Sequence, residues 1–289
     1  MSEPLRLNVP TALEYFSSLV AEDAGLNLLE AAAAIAQDEF PALDVEAVLS
    51  EVETLALRLS QRLPADASAK HKLQALSRFF HHELGFAGNV NNYYERGNSF
   101  IHHVLATRRG IPVTLAVIFL ELAGHLGLRA QGLAFPGHFL IKVKMGNGEV
   151  VLDPCTGNSL SRERLDEYLQ VFRDSAGLAG AVALPIDFFM QAAAPRDILV
   201  RMLRNLKEIY RAGEDWPRQL PVQQRLVVLL PGDAAERRDR GLALEALGQW
   251  PAAIEDLAFY VEQAPQAADG QDLQRRLMQM RQRSAPPRQ

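Results

Sequence analysis

Three pairs of residues near the end of the chain, Trp216 and Trp250, Pro217 and Pro251, and Pro231 and Pro265, each stand 34 residues apart. A period of that length marks a helix-turn-helix unit whose apolar face cannot be buried alone and must stack on a neighbour. In the second copy Gly241, Leu244, Ala253, Leu257 and Tyr260 fall where packed helices need small or bulky side chains, and Leu206, Ile209, Tyr210 and Leu226 give a similar pattern in the first. Two such units bury little surface. The spacing therefore predicts that the segment 272–283, with Leu273, Leu277 and Met280 on one face, closes the array over 195–283. Residues 284–289, rich in proline, read as a disordered tail.

The first third of the chain has the periodicity of amphipathic helices. From Asp44, a suitable N-cap, Val48, Leu49, Val52, Leu55, Ala56, Leu59 and Leu63 follow steps of three and four until Pro64. A second helix starts near Ser68, turns Leu73, Leu76, Phe80 and Leu84 inward, and stops at Gly85. Residues 28–36 are expected to be helical as well. Turn formers dominate 86–94, a short helix resumes at Ile101, Val104 and Leu105, and Gly110 is expected to break it. Pro112 then suits a first helical position, where its missing N–H costs nothing, and residues 113–126 are apolar nearly all round. A helix of that kind is central and buried. Gly127 closes it, and 130–135, 138–143 and 149–152 read as short strands with a tight turn at Gly146-Asn147-Gly148. Residues 160–172 follow as a helix behind Ser159 or Ser161, and 175–183 as a loop. The fold class is α+β: an N-terminal helical region, a core of about 86–172 with a small antiparallel sheet, all within a first domain 1–190, and the C-terminal helical repeats.

Three segments then carry a resemblance. Arg109-Gly110-Ile111-Pro112, Pro136-Gly137-His138-Phe139 and Leu152-Asp153-Pro154, in that order, are similar to the transglutaminase-like core of the papain-like superfamily. In that superfamily a helix N-terminus supplies cysteine, the next strand histidine and the following strand aspartate. The logic is chemical: the helix terminus acidifies the thiol, imidazole takes its proton, and the carboxylate orients the imidazole. The resemblance places the cysteine position at Pro112, which has neither thiol nor backbone donor, and the other two positions at His138 and Asp153. It implies a triad-like hydrogen bond between His138 and Asp153.

Taken with Asn91-Asn92-Tyr93-Tyr94, Asn98-Ser99, Val104-Leu105 and Arg108, these segments resemble a bacterial family of SirB-type, transglutaminase-like proteins with tetratricopeptide repeats, over roughly residues 9–265. That family commonly carries Gly-Ile-Pro here and has no established activity, and its name implies a regulatory role. Cys155, the single cysteine, stands directly after Asp153-Pro154, where an aromatic residue is common in the family.

Two classes of function follow. The first is a catalytically vestigial module that binds a protein or peptide. The second is an amide or ester hydrolase, or an acyl transferase, using Cys155, His138 and Asp153. Cys155 lacks a helix N-terminus to activate it, which favours the first. Thr114 offers a hydroxyl, but in a helix it is expected to bond the backbone behind it. Tyr93, Tyr94, Asn92 and Asn98 are candidates to line a groove beside the site. No metal site is expected, since His81-His82 and His102-His103 point apart on a helix, and no cofactor motif is present. A net charge of −5 gives no general attraction for nucleic acid or an anionic membrane. No apolar run reaches membrane-spanning length. One cysteine and an N-terminus without a signal sequence point to the cytoplasm; the oligomeric state is not readable from the sequence.

Overall fold

The computed structural model describes residues 10–175 and 185–284. Of the sequence expectations, all but the first residue of the loop 175–183 and of the tail 284–289 lies outside the described residues, as do the first nine residues of the sequence. Local chemistry sets the helix starts. Ala12–Leu19 (α1) opens on a capping box of Thr11 and Glu14, and Leu28–Ala34 (α2) on the Asn27 side chain. Asp44 accepts from the Ala47 N–H to start Val45–Ser60 (α3), and Ser68 accepts from the His71 N–H to start Ala69–Ser77 (α4).

The helical run after Ser68 does not stay regular up to Gly85. It widens into a π-helical turn over Arg78–Glu83, and Gly85 ends it at φ +75°. A π turn holds one extra residue, so the adjacent rings of Phe79 and Phe80 are both buried and His81 is carried inward beside them. Ala87–Gly88 (β1) then pairs in parallel with Arg109–Gly110 (β2) on either side of Ile101–Thr107 (α5). α5 ends on Arg108, itself left-handed at φ 59°, just before the glycine expected to break it. Gly110 is needed for close approach instead: a Cβ there would lie 3.0 Å from Val104 Cγ2.

Pro112–His125 (α6) is the buried central helix, in contact with α2, α3, α4 and α5. Gly127 follows it at φ +69°. Ala130–Leu133 (β3), Leu140–Met145 (β4), Gly148–Leu152 (β5) and Ser159–Leu160 (β6) make an antiparallel meander in sequence order. Met145 pairs with Gly148, so the turn expected at Gly146-Asn147-Gly148 is a two-residue one with Gly148 already in the strand. α6 packs against β3 and β4, while Leu133, Leu140 and Val151 meet Leu165 and Leu169 of Arg162–Ser175 (α7). The sheet thus lies between two helical layers. Ser161 supplies the cap for α7, accepting from the Arg164 N–H at 3.3 Å.

Pro195–Ala212 (α8) is followed by Trp216–Leu229 (α9), Ala234–Ala246 (α10), Trp250–Gln263 (α11) and Gly270–Ser284 (α12). The protein divides into two compact units, residues 22–202 and residues 1–21 with 203–289, so the division falls inside α8 and not between 190 and 195. In the second unit Ala243, Leu244, Ala253 and Leu257 form one core with Leu273, Leu277 and Met280 of α12, the closing helix the sequence predicts. Gly241 is small because a Cβ there would stand 2.8 Å from Leu257 Cγ. α1, which the sequence reading groups with the first domain, packs on α9: Phe16 is fully buried, with the Arg225 guanidinium 5.2 Å from its ring centre.

Candidate functional site

Pro112 occupies the first position of α6, after an extended Ile111 whose side chain cannot cap the helix. The helix terminus that would acidify a thiol therefore carries none. Two residues in, the Thr114 hydroxyl is fully buried and bonds nothing, contrary to the expected bond to the carbonyl behind it; the buried Ser99 hydroxyl is likewise without a partner.

Asp153 follows β5 and organises the turn that leads to β6. Its Oδ1 accepts from the Cys155 N–H at 2.8 Å, its Oδ2 from the Thr156 hydroxyl at 3.0 Å, and its carbonyl from the Gly157 N–H at 2.8 Å. The short Asp and Thr side chains close such a turn by mimicking backbone groups. His138 sits in the turn before β4, not within the strand, with its N–H bonded to the Phe135 carbonyl and Gly137 at φ +73° ahead of it. Its ring stacks on Tyr168 of α7, centres 4.0 Å apart and planes 16° from parallel. The hydrogen bond from His138 to Asp153 that the resemblance implies is not formed: the carboxylate bonds within its own turn and the imidazole stacks on Tyr168. Burial holds the His138 imidazole below its usual pKa, opposed by the Asp153 charge and assisted by Arg164 and Arg201.

Cys155 is packed over β1. Its carbonyl accepts from the Gly88 N–H at 3.4 Å, and a Cβ on Gly88 would lie 2.9 Å from Sγ, so only glycine leaves room for it. Burial, the Asp153 charge and a hydrogen bond from the thiol to Asp153 push its pKa up to about 12. A thiol in that setting is inert at neutral pH.

The loop before α5 is tied by its asparagines. Asn98 is buried and its amide donates to the carbonyls of Asn92 at 2.7 Å and Tyr93 at 3.2 Å, while its Oδ1 accepts from Asn89 at 3.0 Å. Asn92 donates to Glu95 at 3.1 Å. These two residues hold the loop rather than face a groove. Tyr93 and Tyr94 meet edge to face and remain exposed, Tyr94 to 76%. Burial raises the Tyr93 hydroxyl pKa, while the Arg201 charge acts on it in the opposite sense. The Asp153 charge thus acts on both His138 and Cys155, and Cys155 on Tyr93, while Asn92 and Asn98 are supports.

Sequence reasoning missed four residues of this face. His81 reaches it from the π turn: its Nδ1 donates to the Phe86 carbonyl at 3.0 Å, its buried Nε2 has no partner, and its ring fills the space that a Cβ on Gly157 would take, 2.3 Å from Cδ2. Tyr168 and Arg164 arrive from α7, the guanidinium 4.9 Å from the tyrosine ring centre. Arg201 comes from α8. The i, i+4 spacing of Arg164 and Tyr168 was a legible signal; His81 and Arg201 had none, since each is placed by long-range packing. Among the described residues no group of three or more His, Cys, Asp or Glu side chains is placed to hold a metal ion, and no helix is long and apolar enough to cross a membrane.

The sequence model of the Transglutaminase-like superfamily matches residues 46–204, and that of the Tetratricopeptide repeat matches residues 206–281. The protein is thus a transglutaminase-like domain followed by tetratricopeptide repeats. A UPF0162 protein of Xylella fastidiosa strain Temecula1 is 34% identical over 84% of this chain and 86% of its own length, and Protein SirB1 of Salmonella typhimurium is 26% identical over 76% and 80%. The protein belongs to the UPF0162 family, as the resemblance to SirB-type proteins implied. The crystal structure of menin that reveals its binding site for the Mixed Lineage Leukemia protein covers 86% of this chain and 68% of menin, at a TM-score of 0.41 and 12% identity, a likeness too loose to carry an argument.

Proposed function

We propose that this protein is a binding module, in which a transglutaminase-like groove without a nucleophile holds an extended peptide segment of a partner protein and the tetratricopeptide repeats offer a second protein-binding surface. The observation that carries the reading is Pro112 at the start of α6, where the catalytic thiol of this superfamily would stand. Two further facts support it: His138 and Asp153 are not joined, and the single cysteine has its thiol pKa raised to about 12. Stacked helical repeats commonly recognise peptide segments, and a groove can keep its affinity for a peptide after losing the means to cut it. A lone cysteine that makes no disulfide fits a reducing compartment, and we place the protein in the cytoplasm.

The alternative, a thiol hydrolase or acyl transferase built on Cys155, requires a thiolate that burial and Asp153 both oppose. Incubation with a pool of random peptides of about ten residues separates the two readings. The binding reading predicts saturable binding, no cleavage products and no acyl adduct on Cys155 by mass spectrometry. Products that disappear in a folded Cys155→Ala protein would sink it.

A further inference from the structure

We infer that the cavity beside the C-terminal half of α6 is a binding site for a small aliphatic ammonium compound, with Glu121 meeting the charged end. The site lies wholly within the unit of residues 22–202 and is independent of the peptide-binding reading, since Pro112 stands at the opposite end of the same helix. The cavity measures about 510 Å³ and is walled by the start of α2, by α6, by β3 and by residues 192–198. Sites for small organic molecules have volumes of this order. Bonds outside the cavity fix its walls. The Ala193 N–H donates to the Gly132 carbonyl at 2.9 Å, which lays residues 192 and 193 along the outer edge of β3. Arg196 meets Asp23 at 2.7 Å, fastening the start of α8 to the turn before α2. A site held open in this way is spent on no rearrangement when a ligand enters.

Nine of the thirteen lining residues are aliphatic, Leu28, Val117, Leu120 and Ile198 among them, and none is aromatic. Such walls suit a hydrocarbon chain; a flat ring would find nothing to stack on. Glycine aside, the remaining wall is Asn27, Gln131 and Glu121. Glu121 is the one acid of α6, a helix whose residues 113–123 are otherwise apolar but for Thr114. Its Oε1 lies 3.3 Å from His125 Nε2, and its Oε2 has no partner among the described residues. No lysine or arginine lines the cavity, and Arg196 at its edge is taken by Asp23. One carboxylate with no cation in the wall opposes an anionic ligand and favours an ammonium group, which it meets by a charge-assisted hydrogen bond.

Isothermal titration of the full chain with decylamine, 1-decanol and decanoate, each below its micelle-forming concentration, tests the site near neutral pH, where the amine is protonated and the acid ionised. We expect one-to-one binding of decylamine, about tenfold tighter than that of 1-decanol, with decanoate weaker than both. Glu121→Gln should bring decylamine down to the affinity of 1-decanol and leave 1-decanol unchanged. Gln131→Trp and Ala192→Trp start from exposed positions and fill the cavity; in either variant that folds by circular dichroism, decylamine binding should be lost. The inference is overturned if the wild type binds no decylamine at one-to-one stoichiometry, if decanoate binds as tightly as decylamine, or if the preference for the amine survives Glu121→Gln. Decylamine binding that persists in a folded tryptophan variant also overturns it, as adsorption to a chain of net charge −5. None of these results touches the peptide-binding reading.

Discussion

In the repeat unit the buried carboxylate of Glu236 takes Arg204 at 2.9 Å and Lys207 at 2.7 Å, and Asp256 takes the Nε and Nη2 of Arg240 at 2.6 and 2.7 Å. On the site face of the transglutaminase-like unit the polar groups are arranged otherwise: Asp153 closes its own turn, His138 stacks on a tyrosine, His81 keeps an unpartnered buried nitrogen, and Arg201 has no counter-ion among the described residues. A buried charge left alone costs several kcal/mol, so paired charges inside stacked helices are conditions of folding. An exposed unpaired charge stays solvated and costs the fold little. The difference separates the residues that hold this protein together from those that can act.

The sharpest way to break the comparison is to move the thiol. Pro112→Cys in a Cys155→Ala background puts a cysteine at a helix N-terminus, where the dipole favours the thiolate. At neutral pH it should alkylate on the order of a thousandfold faster than wild-type Cys155, as iodoacetamide kinetics would show. Equal rates would mean that the two positions do not differ as described. In the repeat unit, Leu257→Ala removes a fully buried side chain that packs on Gly241 and should cost about 3 kcal/mol in chemical denaturation. At the site face, Gly157→Ala forces a side chain into a left-handed conformation at φ +74° and against the His81 ring; a loss of about 2 kcal/mol is expected.

The smallest effect is on pH dependence. Burial lowers the His81 pKa, and the same cause lowers those of His102 and His138. The unfolded protein therefore binds protons that the folded protein does not, once the pH falls below the ordinary imidazole value of 6.5. Stability is held above that value and declines as the pH drops through it. Thermal unfolding between about pH 8 and pH 5 should show this decline, and His81→Gln should make it shallower without abolishing it. A wild-type melting temperature that rises on acidification would contradict the assignment.

What was legible in the sequence was whatever local rules decide. Asp44, Ser68, Gly85 and Gly127 mark helix ends because capping and left-handed geometry are matters of a few neighbouring residues, and the 34-residue period gives the repeats because each unit packs as the last one does. The apolar surface of α6 announces its burial. Distant partners hid the rest. Nothing local tells that α1 packs on α9, that a π turn widens the helix after Ser77, or that Arg108 takes the left-handed end of α5. At the site, order and spacing found His138, Asp153 and Pro112, yet the first two are not paired: Asp153 bonds Thr156 and the Cys155 amide in its own turn, and His138 stacks on a tyrosine from α7. Arg201 was invisible because the groups its charge acts on come from distant parts of the chain.

The central claim is that this groove has no activated thiol, and the rate of Cys155 alkylation across pH, in wild type and in His138→Ala, tests it most directly. The account predicts a reaction that stays slow through neutral pH, rises only toward the raised value of about 12, and is unchanged by the substitution. A midpoint below the ordinary thiol value of about 8.5 that moves back up in a folded His138→Ala protein would establish a working cysteine-histidine pair and contradict it.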